Sequence, residues 1–137
     1  MVNDDAILYA GPFRVKPGGL SVSRTFGDIE AKRESLGGKS GCVVPDPEIS
    51  TRAIDCDDDF VIMGSDGIFD CMDNDEVIMT VWDTVRYMKY VLPNPEASYD
   101  QILGEAIVNV MKKSLVMKSE DNVTVMLMCF RNLLELV

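Results

Sequence analysis

Phe60-Val61-Ile62-Met63-Gly64-Ser65-Asp66-Gly67-Ile68-Phe69-Asp70 is the stretch whose reading decides the fold. Its four leading apolar residues, Phe60 to Met63, read as a strand buried on both faces. Ser65-Asp66-Gly67 stops it, because glycine accepts backbone angles that other residues resist. Asp66 therefore stands at the exit of a buried strand. Near the other end of the chain, Asp121-Asn122 precedes a second strand-like run, Val123-Thr124-Val125-Met126-Leu127-Met128. If the two strands are antiparallel neighbours, the exit of one lies beside the entrance of the other. Two carboxylates at one sheet end repel unless a cation or a shared proton lies between them. The pair reads as half of a hard-metal site.

Composition narrows what such a site could serve. The 137 residues are 47% hydrophobic, which predicts a globular fold with a sizeable core. No apolar run approaches the roughly 20 residues of a membrane span, and no signal peptide is visible. The net charge of −10 disfavours nucleic acid and anionic lipid as partners. A phosphorylated substrate would have to be recognised locally or through metal, against that field. The four cysteines form no CxxC pair, and Cys129 reads as a core thiol, so a reduced intracellular setting is expected, the cytoplasm first and the nucleus as an alternative. With no histidine, any metal is held by oxygen, which suits magnesium or manganese.

Along the rest of the chain, residues 6–15 read as a strand broken by Gly11-Pro12, and Leu20 to Arg24 as another. Residues 29–42 read as a loop with at most one helical turn. Pro45 to Glu48 reads as an extended segment whose prolines exclude a central strand position, and Ile49 to Ile54 as an edge strand. Asp73 or Asn74 caps a helix that runs to about Tyr90, with Val77, Ile78, Val81, Val85 and Met88 on one face. Ser98 or Tyr99 opens a second helix to about Met117, carrying Ile102, Leu103, Ala106, Ile107, Val110 and Met111. Met88, Met111 and Met117 read as core filler. An apolar tail, Leu133 to Val137, closes the chain. About five strands and two helices predict an α+β fold in one domain, with helices on a largely antiparallel sheet. So few strands suggest part of a larger domain.

Local motifs have plainer readings too. Asp66-Gly67 alone is a turn, and Asp121-Asn122 alone a loop cap. Asp55 to Phe60 places acids at alternate positions, but Phe60 stands where a calcium loop needs glycine. Gly38-Lys39-Ser40 lacks the first glycine of a phosphate loop, because Arg33 is there. Asn122-Val123-Thr124 fits a glycosylation sequon, but it enters a strand.

Four blocks, taken together and in order, carry a family resemblance. Gly19-Leu20-Ser21-Val22-Ser23-Arg24-Thr25-Phe26-Gly27-Asp28 resembles a block of the metal-dependent type 2C protein serine/threonine phosphatases. Pro45-Asp46-Pro47-Glu48-Ile49 is similar to a connecting motif of that family. Asp59 to Asp70 resembles its strand-to-turn metal block, and Ser119 to Val125 its final metal block. The resemblance covers the C-terminal half of the catalytic domain. It implies part of an α-β-β-α sandwich, with antiparallel sheets flanked by helices. It also implies dephosphorylation of phosphoserine and phosphothreonine in proteins by a metal-bound water, with two Mn2+ or Mg2+ ions in the complete site. By position it makes Asp66 and Asp121 the metal ligands, and through the metal the catalytic residues. Arg24, Asp28, Gly67 and Asn122 become structural support, and residues 26–45 an influence on substrate preference. The family's N-terminal metal blocks have no counterpart here, so the isolated chain is expected to be incomplete and inactive, with open faces that favour self-association. The alternative is a non-catalytic, pseudophosphatase-like protein-binding module.

Overall fold

The computed structural model describes residues 13–137, so residues 6–12 of the candidate strand at 6–15 lie outside them. The chain divides into two compact units, Met1–Arg52 and Ala53–Val137.

In the first unit, the described chain is mostly loop. The segment read as a strand from Leu20 to Arg24 makes only single bridges, Val15 to Leu20 and Arg24 to Val44. One helical turn, α1 (Ile29–Lys32), is followed by a 3-10 turn at Glu34–Leu36. The loop is held by specific bonds. The Arg24 guanidinium pairs with Glu48 at 2.6 Å, and the Lys32 ammonium donates to the Thr25 carbonyl at 2.5 Å. The Thr25 amide donates to the Val44 carbonyl, and the Val44 amide to that of Ser23. Gly38 is required where it stands, since a Cβ there would lie 2.4 Å from the Glu30 carbonyl oxygen. Ile49 to Ile54 is not a strand. Both isoleucines are exposed, and no segment among the described residues pairs with them as a strand. Alternation alone does not make a strand, which needs a neighbouring strand to pair with.

The second unit contains β1 (Phe60–Gly64), α2 (Asp66–Phe69), α3 (Asn74–Tyr90), α4 (Tyr99–Val116), β2 (Val125–Cys129) and α5 (Leu133–Leu136). It is an α+β arrangement. The two strands pair antiparallel, with Phe60 opposite Cys129 and Gly64 opposite Val125. β2 starts two residues later than the apolar run suggests.

Both long helices begin at capping boxes. The Asp73 carboxylate accepts from the Glu76 amide at 2.8 Å, and Glu76 returns a bond from the Asp73 amide at 3.0 Å. Ser98 and Gln101 do the same for α4. These reciprocal bonds satisfy amides that a helix start leaves without partners. From those starts the apolar residues recur every fourth position. Val77, Val81 and Val85 of α3 are buried together with Ile102, Ala106 and Val110 of α4. Ile68, Met72 and Leu133 complete the core. Burying one such valine contributes on the order of 1.5–3 kcal/mol. Met88 packs against this core, whereas Met117, at the end of α4, is exposed and fills nothing.

Burial of β1 on both faces does not hold. Phe60 and Ile62 pack on the core, but Val61 and Met63 are 39% and 49% exposed. On β2, Met126 and Met128 are 46% and 50% exposed. With two strands and the helical core on one side, the sheet has only one covered face among the described residues.

Candidate functional site

Asp66 and Asp121 stand at the same end of the sheet. β1 ends at Gly64, and Asp66 opens the single turn of α2. Asp121 and Asn122 lead into β2, whose first residue pairs with Gly64. Beyond that last pair, the two connecting segments stay joined. The Ser65 amide donates to the Thr124 carbonyl at 3.0 Å. The Ser65 hydroxyl donates to the Asn122 carbonyl at 3.0 Å and accepts from the Thr124 amide at 3.1 Å. The Ser119 hydroxyl donates to the Gly67 carbonyl at 2.6 Å.

The two aspartates hold themselves in the same way. The Asp66 carboxylate accepts from the Gly67 amide at 3.0 Å, and that of Asp121 from the Asn122 amide at 2.7 Å. No other hydrogen bond or ion pair engages either carboxylate among the described residues. Both residues are exposed, so the cost of desolvating them is small.

Beside the turn lies a cleft of about 360 Å³, lined by Gly67, Asp70, Cys71, Lys118, Ser119, Glu120 and Asp121. Asp121 borders it with two further acids, while Asp66 is not among the lining residues. Cys71 is held inside by its thiol, which donates to the Ile68 carbonyl at 3.3 Å. Among the described residues, no three His, Cys, Asp or Glu side chains converge as a metal cage. The donors are all oxygen, which suits a hard divalent ion, but two carboxylates are only part of such a ligand set.

Sequence reasoning placed Asp66, Gly67, Asp121 and Asn122 at this sheet end and passed over Ser65 and Ser119. Their hydroxyls reach partners 52 to 59 positions away, beyond any local spacing rule. Asp70 and Glu120 were also missed as cleft residues. Arg24 and Asp28 belong to the first unit. Arg24 ties the Glu48 segment to its loop. Asp28 sits at φ 47°, ψ 47° ahead of α1, where its carbonyl accepts from the Ala31 amide and its side chain caps nothing.

The family described as Protein phosphatase 2C matches residues 10–123. "Probable protein phosphatase 2C 72" of Arabidopsis thaliana is 31% identical over 83% of this chain and 30% of its own length. Protein phosphatase ppm-1.A of Caenorhabditis elegans is 33% identical over 82% of this chain and 22% of its own. Protein phosphatase 1L of Bos taurus is 33% identical over 92% of this chain and 29% of its own. The chain thus spans less than a third of the length of these relatives. A match from residue 10 to residue 123 takes in Ser65, Asp66, Gly67 and the Ser119–Val123 segment, and the chain belongs to the protein phosphatase 2C family.

Proposed function

We propose that the protein acts in the hydrolysis of phosphoserine and phosphothreonine in proteins, and that Asp66 and Asp121 are two of the carboxylates that hold Mn2+ or Mg2+. The observation that carries this reading is the bonded junction of the two segments, which sets both acids at one sheet end. A divalent ion bound there supplies positive charge to the phosphoryl group and lowers the pKa of a water. The chain's own residues do the rest of the work assigned to them. Asp66 and Asp121 offer oxygens and neutralise charge. Their self-made bonds to the Gly67 and Asn122 amides fix the carboxylate orientation. Gly67 lets the segments approach.

Two carboxylates are only part of the ligand set that a hard divalent ion takes, so on this reading the isolated chain is inactive and needs further ligands. That same shortage favours the second reading, a non-catalytic module that binds a partner protein. On either reading the protein works in the cytoplasm or nucleus.

The test is Mn2+-dependent release of phosphate from a phosphothreonine peptide by the full-length protein. Asp66→Asn and Asp121→Asn should each lower the rate at least about 100-fold, the upper end of what loss of metal support costs. An unchanged rate in both variants sinks the ligand role of the two aspartates, and absence of Mn2+-dependent release by the unaltered protein sinks the enzymatic role.

A further inference from the structure

We infer that Ser65 and Ser119 are positioning residues, whose hydroxyls lock the two acidic segments into one unit and so set the cation affinity of Asp66 and Asp121. This inference rests on the ligand role proposed above for the two aspartates. Each aspartate is bracketed. Asp66 lies between Ser65 and Gly67, and both of those neighbours bond to the opposite segment. Asp121 lies between Ser119 and Asn122, which bond to Gly67 and Ser65 respectively. Ladder bonding ends with the Gly64–Val125 pair, so beyond it a single backbone bond, Ser65 amide to Thr124 carbonyl, joins the segments. The hydroxyls supply the other three links.

Their chemistry suits the position. A serine hydroxyl can donate and accept at once, and Ser65 does both, to a carbonyl and from an amide two residues apart. Ser119 makes the short 2.6 Å bond from the far side of Asp121. Neither hydroxyl touches an aspartate carboxylate. Their action is therefore indirect: they fix backbone positions, and the self-bonded carboxylates follow the backbone. Repulsion between two acids favours opening of the junction, and the hydroxyl links oppose it. Without them the carboxylates would sample separations that a single ion cannot bridge, and binding would carry the cost of closing them.

The test uses the full-length protein with Mn2+ as probe. Ser119→Ala and Ser65→Ala should each raise the Mn2+ concentration for half-maximal phosphate release about tenfold, at the low end for loss of an outer support. The rate at saturating Mn2+ should stay within about threefold, because no reacting group is removed. Calorimetric titration with Mn2+ should show the same weakening without reference to activity. Ser119→Thr, which keeps a hydroxyl, should restore most of the affinity. Val110→Ala, a core truncation on α4, controls for general loss of stability. If it weakens Mn2+ binding as much as the serine variants do, or if the serine variants bind Mn2+ like the parent, positioning is overturned. If Asp66→Asn and Asp121→Asn leave Mn2+ binding and rate untouched, the ligand role falls and this inference with it. If they abolish both while the alanine variants change nothing, only the role of the serines falls.

Discussion

A Cβ on Gly67 would lie 2.4 Å from the carbonyl oxygen of Asn122. That distance sets how closely the two acidic segments approach, and it explains the glycine better than backbone freedom does. Gly67 is absent from the positive-φ residues and opens, with Asp66, the turn α2. Its constraint is steric. Gly67→Ala must push Asn122 away from the turn, and backbone cannot yield as a flexible side-chain tip can. The expected cost is about 1–3 kcal/mol, in the range of other overpacking changes. Urea denaturation of the 137-residue chain measures it. A loss below about 0.5 kcal/mol would mean that the segments separate freely.

The helix starts offer a cleaner comparison. Asp73→Ala and Ser98→Ala each remove one half of a reciprocal pair, and each should cost about 1 kcal/mol. The same urea experiment reads both. Because the two caps lie on different helices, the double variant should lose about the sum.

What is legible in the sequence, and what is not, follows from how local each signal is. The span from Asp73 to Tyr90 can be read directly, because a cap, an acidic first turn and a four-residue apolar period all agree. Asp66 and Asp121 can be placed at strand ends because each adjoins an apolar run. Ile49 to Ile54 shows the limit. Its alternation satisfies a strand pattern, but a strand needs a neighbour, and none is paired with it among the described residues. The exposed side of β1 is a second case. Four apolar residues in a row cannot say which face a helix pair will cover. Ser65 and Ser119 are a third, since their bonds join residues more than 50 positions apart.

Lys89 anchors the end of the chain. Its ammonium donates to the Leu134 carbonyl at 2.7 Å and to that of Val137 at 2.6 Å, beside the single turn of α5. A cation at the carbonyl end of a helix is favourable, and here it also satisfies two carbonyls directly. Lys89→Met keeps the stem and removes the donor. Amide exchange at Leu136 and Val137 should quicken about tenfold or more, while exchange within α3 should hardly change. Equal acceleration in both would show that the lysine stabilises the whole unit rather than its last turn.

Tyr99 joins α4 to the segment after β2. Its hydroxyl donates to the Arg131 carbonyl at 3.1 Å and accepts from the Leu133 amide at 3.0 Å. Burial raises its pKa above the ordinary 10.0, with the Leu133 amide acting in the opposite sense and neighbouring Cys129 adding to the rise. Burial likewise raises the Cys129 thiol above its ordinary 9.0, and the neighbouring Tyr99 hydroxyl partly offsets this. The sign of the linkage is therefore shared. Near pH 9 and above, the unfolded chain gives up protons that the native chain keeps, so stability falls as pH rises. It is fully present below the unfolded values and lost as pH passes the raised ones. Urea midpoints should drop as pH rises from about 9 through and beyond the ordinary values of the two groups, 9.0 for Cys129 and 10.0 for Tyr99. Tyr99→Phe should cost about 1–3 kcal/mol at pH 7, because it strips the Leu133 amide of its partner. Together with Cys129→Ala it should flatten the alkaline slope. A double variant whose midpoint falls with pH as steeply as the parent's would place the alkaline sensitivity elsewhere in the chain.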